Sequence, residues 1–163
     1  MARLLVVHHA PTRSLQALLD AVLDGARDPV IEGVEVVDRA ALGTTAEDLL
    51  AADGYLLLTT ANFGYMSGAL KHMFDSTFLH IGGALSDDGS AAEGEGGSTA
   101  GRPFGLLVHG RYDTEGAVRS VLSIVSALRW RRSAEVLEVR GEVTDQDREA
   151  AYELGGTLAA LLS

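Results

Sequence analysis

Four apolar residues in succession, Leu4 to Val7, stop at the breaker-rich His8-His9-Ala10-Pro11-Thr12, which predicts a short buried strand followed by a loop. Leu15, Leu18, Leu19, Val22 and Leu23 then recur at helical spacing as far as Gly25, with Thr12 or Ser14 available to cap the first turn. The alternation repeats. Residues 34–37 and 54–59 read as the second and third strands with a short helix over 46–51 between them, and 67–78 reads as a helix with Leu70, Phe74 and Phe78 on one side. Residues 103–108 predict a fourth strand, Pro103 falling at its edge or first position, and the helix after it carries Val118, Val121, Leu122, Val125 and Leu128. A fifth strand over 134–139 and a final helix over 144–162, opened by the Thr144/Asp147 capping pair, complete the series.

Short strands alternating with helices predict an α/β chain with a parallel sheet covered on both faces, because each crossover helix can bury its apolar stripe against the strands. In such sheets ligands bind where loops leave the C-terminal strand ends. Here those loops are 8–14, 60–67 and 109–116.

Composition narrows the choice. With 163 residues, 47% of them hydrophobic, and a mean hydropathy of +0.14, the chain is expected to be a single globular domain. The formal net charge of −10 argues against general nucleic-acid or anionic-membrane binding. The absence of cysteine excludes disulfides, thiolate ligands and a cysteine nucleophile. No apolar run approaches the length of a membrane span and no cleavage pattern follows the first strand, so a cytoplasmic protein is expected. Residues 82–101 hold seven glycines with Asp87, Asp88, Glu93 and Glu95 and no Lys or Arg, the composition of a surface insertion.

The three loops carry the chemistry. Pro11, Thr12, Arg13, Ser14 and Leu15 run into a helix start, where free amides, two hydroxyls and a guanidinium suit an anion; a plain N-cap beside a solvated arginine explains the same residues. Thr60, Ala61, Asn62, Phe63, Gly64 and Tyr65 combine an amide, a flexible glycine and two aromatics able to border a planar ligand, or they form a packed turn before a capped helix. The five histidines have no HExxH spacing and Ser67 no GxSxG elbow, so neither a metal site nor a hydrolase is expected and no side chain is assigned as catalytic. Arg129-Trp130-Arg131-Arg132 reads as helix-terminal charge around an amphipathic tryptophan.

The stretch from Thr60 to Asp75, with Asn62, Gly64, Ser67, Gly68, Lys71 and Asp75 at the matching positions, resembles the loop and helix after the third strand in flavodoxin-like NAD(P)H-dependent FMN reductases and quinone oxidoreductases. The first loop lacks the Thr/Ser-x-Thr-Gly-x-Thr pattern of ordinary flavodoxins and looks closer to the reductase type containing Arg and Ser. The resemblance implies a three-layer sandwich on a five-stranded parallel sheet ordered 2-1-3-4-5. It implies FMN with its phosphate at Pro11, Thr12, Arg13, Ser14 and Leu15, its ring at Thr60 to Tyr65, and its other edge at His109, Gly110, Arg111, Tyr112 and Asp113. It further implies ping-pong hydride transfer from NADPH or NADH to a quinone or other small acceptor, in a homodimer or a tetramer. An FMN-binding electron carrier and a cofactor-free binding protein remain the alternatives.

Overall fold

The computed structural model describes residues 1–90, 92 and 97–163. Its strands are β1 (Ala2–His8), β2 (Val34–Ala40), β3 (Gly54–Asn62), β4 (Tyr65–Met66), β5 (Pro103–Gly110), β6 (Arg131–Arg132) and β7 (Leu137–Arg140). The α-helices are α1 (Arg13–Ala26), α2 (Ala46–Ala51), α3 (Gly68–Thr77), α4 (Glu115–Ala127) and α5 (Asp145–Ala160). The main strands are parallel and lie in the order β2-β1-β3-β5, with β6 and β7 sharing the position outside β5. This is the order 2-1-3-4-5 that the family resemblance implied, counting β5 as fourth and β7 as fifth.

Two elements differ from their sequence reading, and one choice that reading left open is settled. The expected fifth strand over 134–139 is two short pieces: Arg131 pairs with Pro103 and Leu137 with Leu107, so six residues of the outer strand cover four of β5. Two residues are thrown out as an edge irregularity, and the ladder breaks between them. Thr12, not Ser14, caps α1, its Oγ1 accepting from the Leu15 amide at 3.2 Å. The segment 60–66 is not an open loop: β3 continues to Asn62 and folds back on β4.

Alternation along the strands divides the core into two sheets of side chains. Leu4, Val6, Leu56, Leu58 and Leu107 face α1 and α5, while Leu5, Val7, Tyr55, Leu57 and Leu106 face α3 and α4. On the first face α1 and α5 approach backbone to backbone: a Cβ on Gly155 would lie 2.0 Å from the Val22 carbonyl oxygen, and one on Gly25 would lie 1.9 Å from that of Tyr152. On the second face Trp130 stacks on Tyr55 with ring centroids 4.0 Å apart. Arg102 closes that corner, its Nη1 donating to the carbonyls of Leu49, Leu50 and Ala52 at the end of α2 and to the Tyr55 hydroxyl. Burial pushes the Tyr55 phenol up to about 12, so it stays a neutral donor to Leu49.

The glycine-rich stretch is anchored at its described ends. Thr99 is buried, donates to the Ile81 carbonyl at 2.7 Å and accepts from the Trp130 indole at 2.9 Å, while the Ala92 amide bonds Ala84. Glu93 and Glu95 of the expected acidic insertion lie outside the described residues. No helix among the described residues is long and apolar enough to cross a membrane.

Candidate functional site

The sheet brings the C-terminal ends of β1, β3 and β5 side by side, and with them the three loops singled out in the sequence. The first leaves β1 at His8, is tied to β3 by the His9 amide donating to Leu58, and enters α1 at Thr12. With Thr12 and Gln16 serving the cap, the amides of Arg13 and Ser14 have no protein acceptor among the described residues, and no acidic residue occupies that first turn. Leu15 is a correction to the expected phosphate set: its side chain is fully buried in the α1–α5 core and its amide is bonded to Thr12, so it offers nothing outward.

Beside this loop a cavity of about 350 Å³ opens between His8, His9, Pro11, Gln16 and Ala40. Burial pushes the His8 imidazole below its ordinary value; Asp38, 3.8 Å away, opposes that shift and His9 adds to it. His8 is therefore a neutral wall of the cavity near pH 7.

The second element is a tight hairpin. Asn62 pairs with Tyr65, and the two turn residues Phe63 and Gly64 have φ of 51° and 76°, the double positive φ of a type I′ turn. Gly64 adopts that conformation freely; Phe63 does so against steric resistance, and its ring is entirely solvent-exposed. Thr59 fixes the base, accepting from the Ser67 amide at 2.9 Å and donating to the Thr60 carbonyl. Thr60 points to the opposite, α1-facing side by strand alternation, and its buried hydroxyl has no hydrogen-bond partner.

The third loop packs directly against the hairpin. A Cβ on Gly116 would lie 1.9 Å from the Gly64 carbonyl oxygen, and one on Gly110 2.9 Å from the Ala61 Cβ, so these glycines set the closeness of the two loops. Asp113 accepts from the Glu115 amide at 2.9 Å, and its other oxygen stands beside Gly64. Arg111 and Tyr112 are exposed at the rim, the guanidinium carbon 5.7 Å from the ring centroid and Nε donating to the phenol. His109 points back toward β7, its Nε2 2.8 Å from the Gly141 carbonyl.

Thus the structure collects Arg13, Ser14, Thr60, Asn62, Phe63, Gly64, Tyr65, Gly110, Arg111, Tyr112 and Asp113 along one edge, with Pro11 and Thr12 shaping the first loop and Ala61 behind the hairpin. The sequence reading missed three supports. Thr59 pins the hairpin, Gly116 admits it, and buried Thr114 donates to Glu138 and accepts from Arg140 at 3.0 Å, joining the third loop to β7. Sequence alone did not mark Gly116, since Gly68 holds a like place in the first turn of α3 with open space around it.

No family model matches the chain. Over 92 residues it is 32% identical to a flavodoxin of Aquifex aeolicus (strain VF5), a match covering 56% of this chain and 48% of that one, so the likeness spans about half the length of that curated relative. Among solved structures it superposes on a flavodoxin from the domain Archaea with a TM-score of 0.77 at 14% identity, covering 98% of each chain. Flavodoxin 1 from Bacillus cereus gives a TM-score of 0.77 at 15% identity, over 99% of this chain and 100% of that one. A WrbA-like protein from Agrobacterium tumefaciens gives 0.70 at 14% identity, over 99% and 98%. The fold is α/β and flavodoxin-like.

Proposed function

We propose that this flavodoxin-like chain binds FMN at the edge formed by β1, β3 and β5 and acts as a redox protein, passing hydride equivalents from NADPH or NADH to a quinone or other small acceptor. The observation that carries the reading is Thr60: a buried hydroxyl without a partner costs about 1–3 kcal/mol, and its place at a ligand-binding strand end is where a bound molecule would satisfy it. The remaining residues fit such a group. The open amides of Arg13 and Ser14 at the start of α1, with the Ser14 hydroxyl and the Arg13 charge, suit a phosphate. Asn62 to Tyr65 suit the side of a flat ring, and Gly110, Arg111 and Tyr112 its opposite edge.

When bound, FMN supplies the reversible two-electron chemistry, and the protein supplies position and electrostatics. Phe63 and Tyr112 hold exposed aromatic surface at the rim where a planar donor or acceptor can stack. The α1 amides and Arg13 favour negative charge in the first loop, whereas Asp113 places a carboxylate beside the hairpin tip. No side-chain nucleophile is required. A second reading, a non-enzymatic FMN-binding electron carrier, is supported by the likeness to the Aquifex aeolicus flavodoxin.

Thr60→Val tests the proposal because it separates folding from binding. The apo protein is expected to gain about 1 kcal/mol on loss of the orphaned hydroxyl, while FMN affinity falls about tenfold. Unchanged FMN affinity in a more stable variant contradicts the site. Multiple turnovers of NADPH or NADH with a quinone distinguish the oxidoreductase from the carrier.

A further inference from the structure

The outer face of α4 carries two adjoining cavities with Arg119 standing between them. The first, of about 380 Å³, begins at the hairpin, where Gly64 and Tyr65 form one wall, and is lined by Lys71, Arg119, Ser120 and Ser123. Lys71 is held by both carboxylate oxygens of Asp75, at 2.8 and 3.0 Å, whereas Arg119 makes no ion pair among the described residues. In a chain of net charge −10, this is a local cationic patch with the Ser123 hydroxyl as a donor, the Ser120 hydroxyl already donating to the Ala117 carbonyl at 2.8 Å. The second cavity, of about 490 Å³, has Val118 and Leu122 as apolar walls and the carboxylates of Glu115 and Glu138 at its margin. Each volume falls in the range of about 300–1,000 Å³ typical of small-molecule sites.

Resting on the reading above, we propose that this trough seats the nucleotide tail of the incoming dinucleotide donor. A phosphate lies against Arg119 and Lys71 on the hairpin side, and the nucleoside lies on Val118 and Leu122. The charges sort the two halves. A guanidinium free of ion pairs favours phosphate oxygens, while Glu115, which has no ion pair among the described residues, repels them and accepts from ribose hydroxyls or an exocyclic amine; Glu138 is already engaged by Thr114 and Arg140. Continuity through Gly64 and Tyr65 lets one ligand reach from the trough to the strand-end site. This gives Arg119 a role in donor affinity, with no part in holding FMN.

The test is calorimetric titration of the full chain with ADP, inorganic pyrophosphate and adenosine, alongside a separate FMN titration. Saturable ADP binding, tighter than either fragment and weakened about tenfold by Arg119→Gln but unaffected by Arg131→Gln, a residue that lines neither cavity, is the expected result. Pyrophosphate binding as tightly as ADP removes the nucleoside half and overturns the assignment, as does ADP binding indifferent to Arg119→Gln. A chain that binds FMN but not ADP refutes the trough alone. One that binds ADP through Arg119 but not FMN keeps the trough and refutes the flavin reading.

Discussion

Replacing Gly116 by alanine strikes the contact on which the site's shape depends. The added Cβ would sit 1.9 Å from the Gly64 carbonyl oxygen and 2.8 Å from its carbon, where real Cβ atoms stay beyond 3.0 Å, so hairpin and helix must separate by about 1 Å. Overpacking of this kind costs about 1–3 kcal/mol, and the better helix propensity of alanine returns about 0.5–1. The net loss of about 1–2 kcal/mol corresponds to a Tm lower by about 2–8 °C for a chain of this size. Gly68 is the internal control: it also lies in the first turn of a helix, yet a Cβ there meets nothing within 4 Å. Gly68→Ala is expected to melt with the wild type or slightly above it. Urea and thermal unfolding of both variants measure the difference, and FMN titration of Gly116→Ala should show weaker binding because the displaced hairpin carries Asn62 to Tyr65. Identical melting of the two alanine variants would refute the close-contact argument.

Three further outcomes follow from the fold. Arg102→Leu leaves the Leu49, Leu50 and Ala52 carbonyls and the Tyr55 hydroxyl without their shared donor, and should cost about 2–3 kcal/mol in urea unfolding; a loss within error of zero would show that water replaces the guanidinium. Burial holds the folded His8 pKa below the unfolded value of about 6.5, so its contribution is complete above that pH and is lost as pH falls toward the folded value. His8→Gln should therefore flatten the decline in unfolding free energy below about pH 6.5, and parallel profiles would contradict the assignment. Gly155→Ala, which drives a Cβ to 2.0 Å from the Val22 carbonyl, should lower the urea midpoint without changing FMN affinity; equal loss of binding would mean that the α1–α5 contact also sets the first loop.

The order of strands and helices was legible because each carries a clear period. Leu15, Leu18, Leu19 and Val22 leave little choice for α1, and the capping pair Thr144/Asp147 marks the start of α5 to the residue. That the three loops gather at one edge was legible because they leave the C-terminal ends of neighbouring parallel strands. Side-chain direction within the loops was not. Leu15 looked like part of a phosphate loop, yet its helical position turns it into the core. The hairpin was hidden because Phe63 occupies a turn position that ordinarily calls for Asn, Asp or Gly, so the sequence lacks the usual two-residue signal. The split of the outer strand depends on its register against β5, which local pattern does not encode. Thr59 and Thr60, neighbours in sequence and alike in chemistry, differ only because one faces Ser67 and the other faces the α1 side without a partner.

Titration of FMN into the apo chain, followed by flavin fluorescence, tests the central claim most directly. Saturable quenching at one FMN per chain, weakened in Thr60→Val while that variant's fold is retained, is the result expected of a strand-end flavin site. No quenching across the micromolar range would contradict it and leave the flavodoxin-like fold with another use.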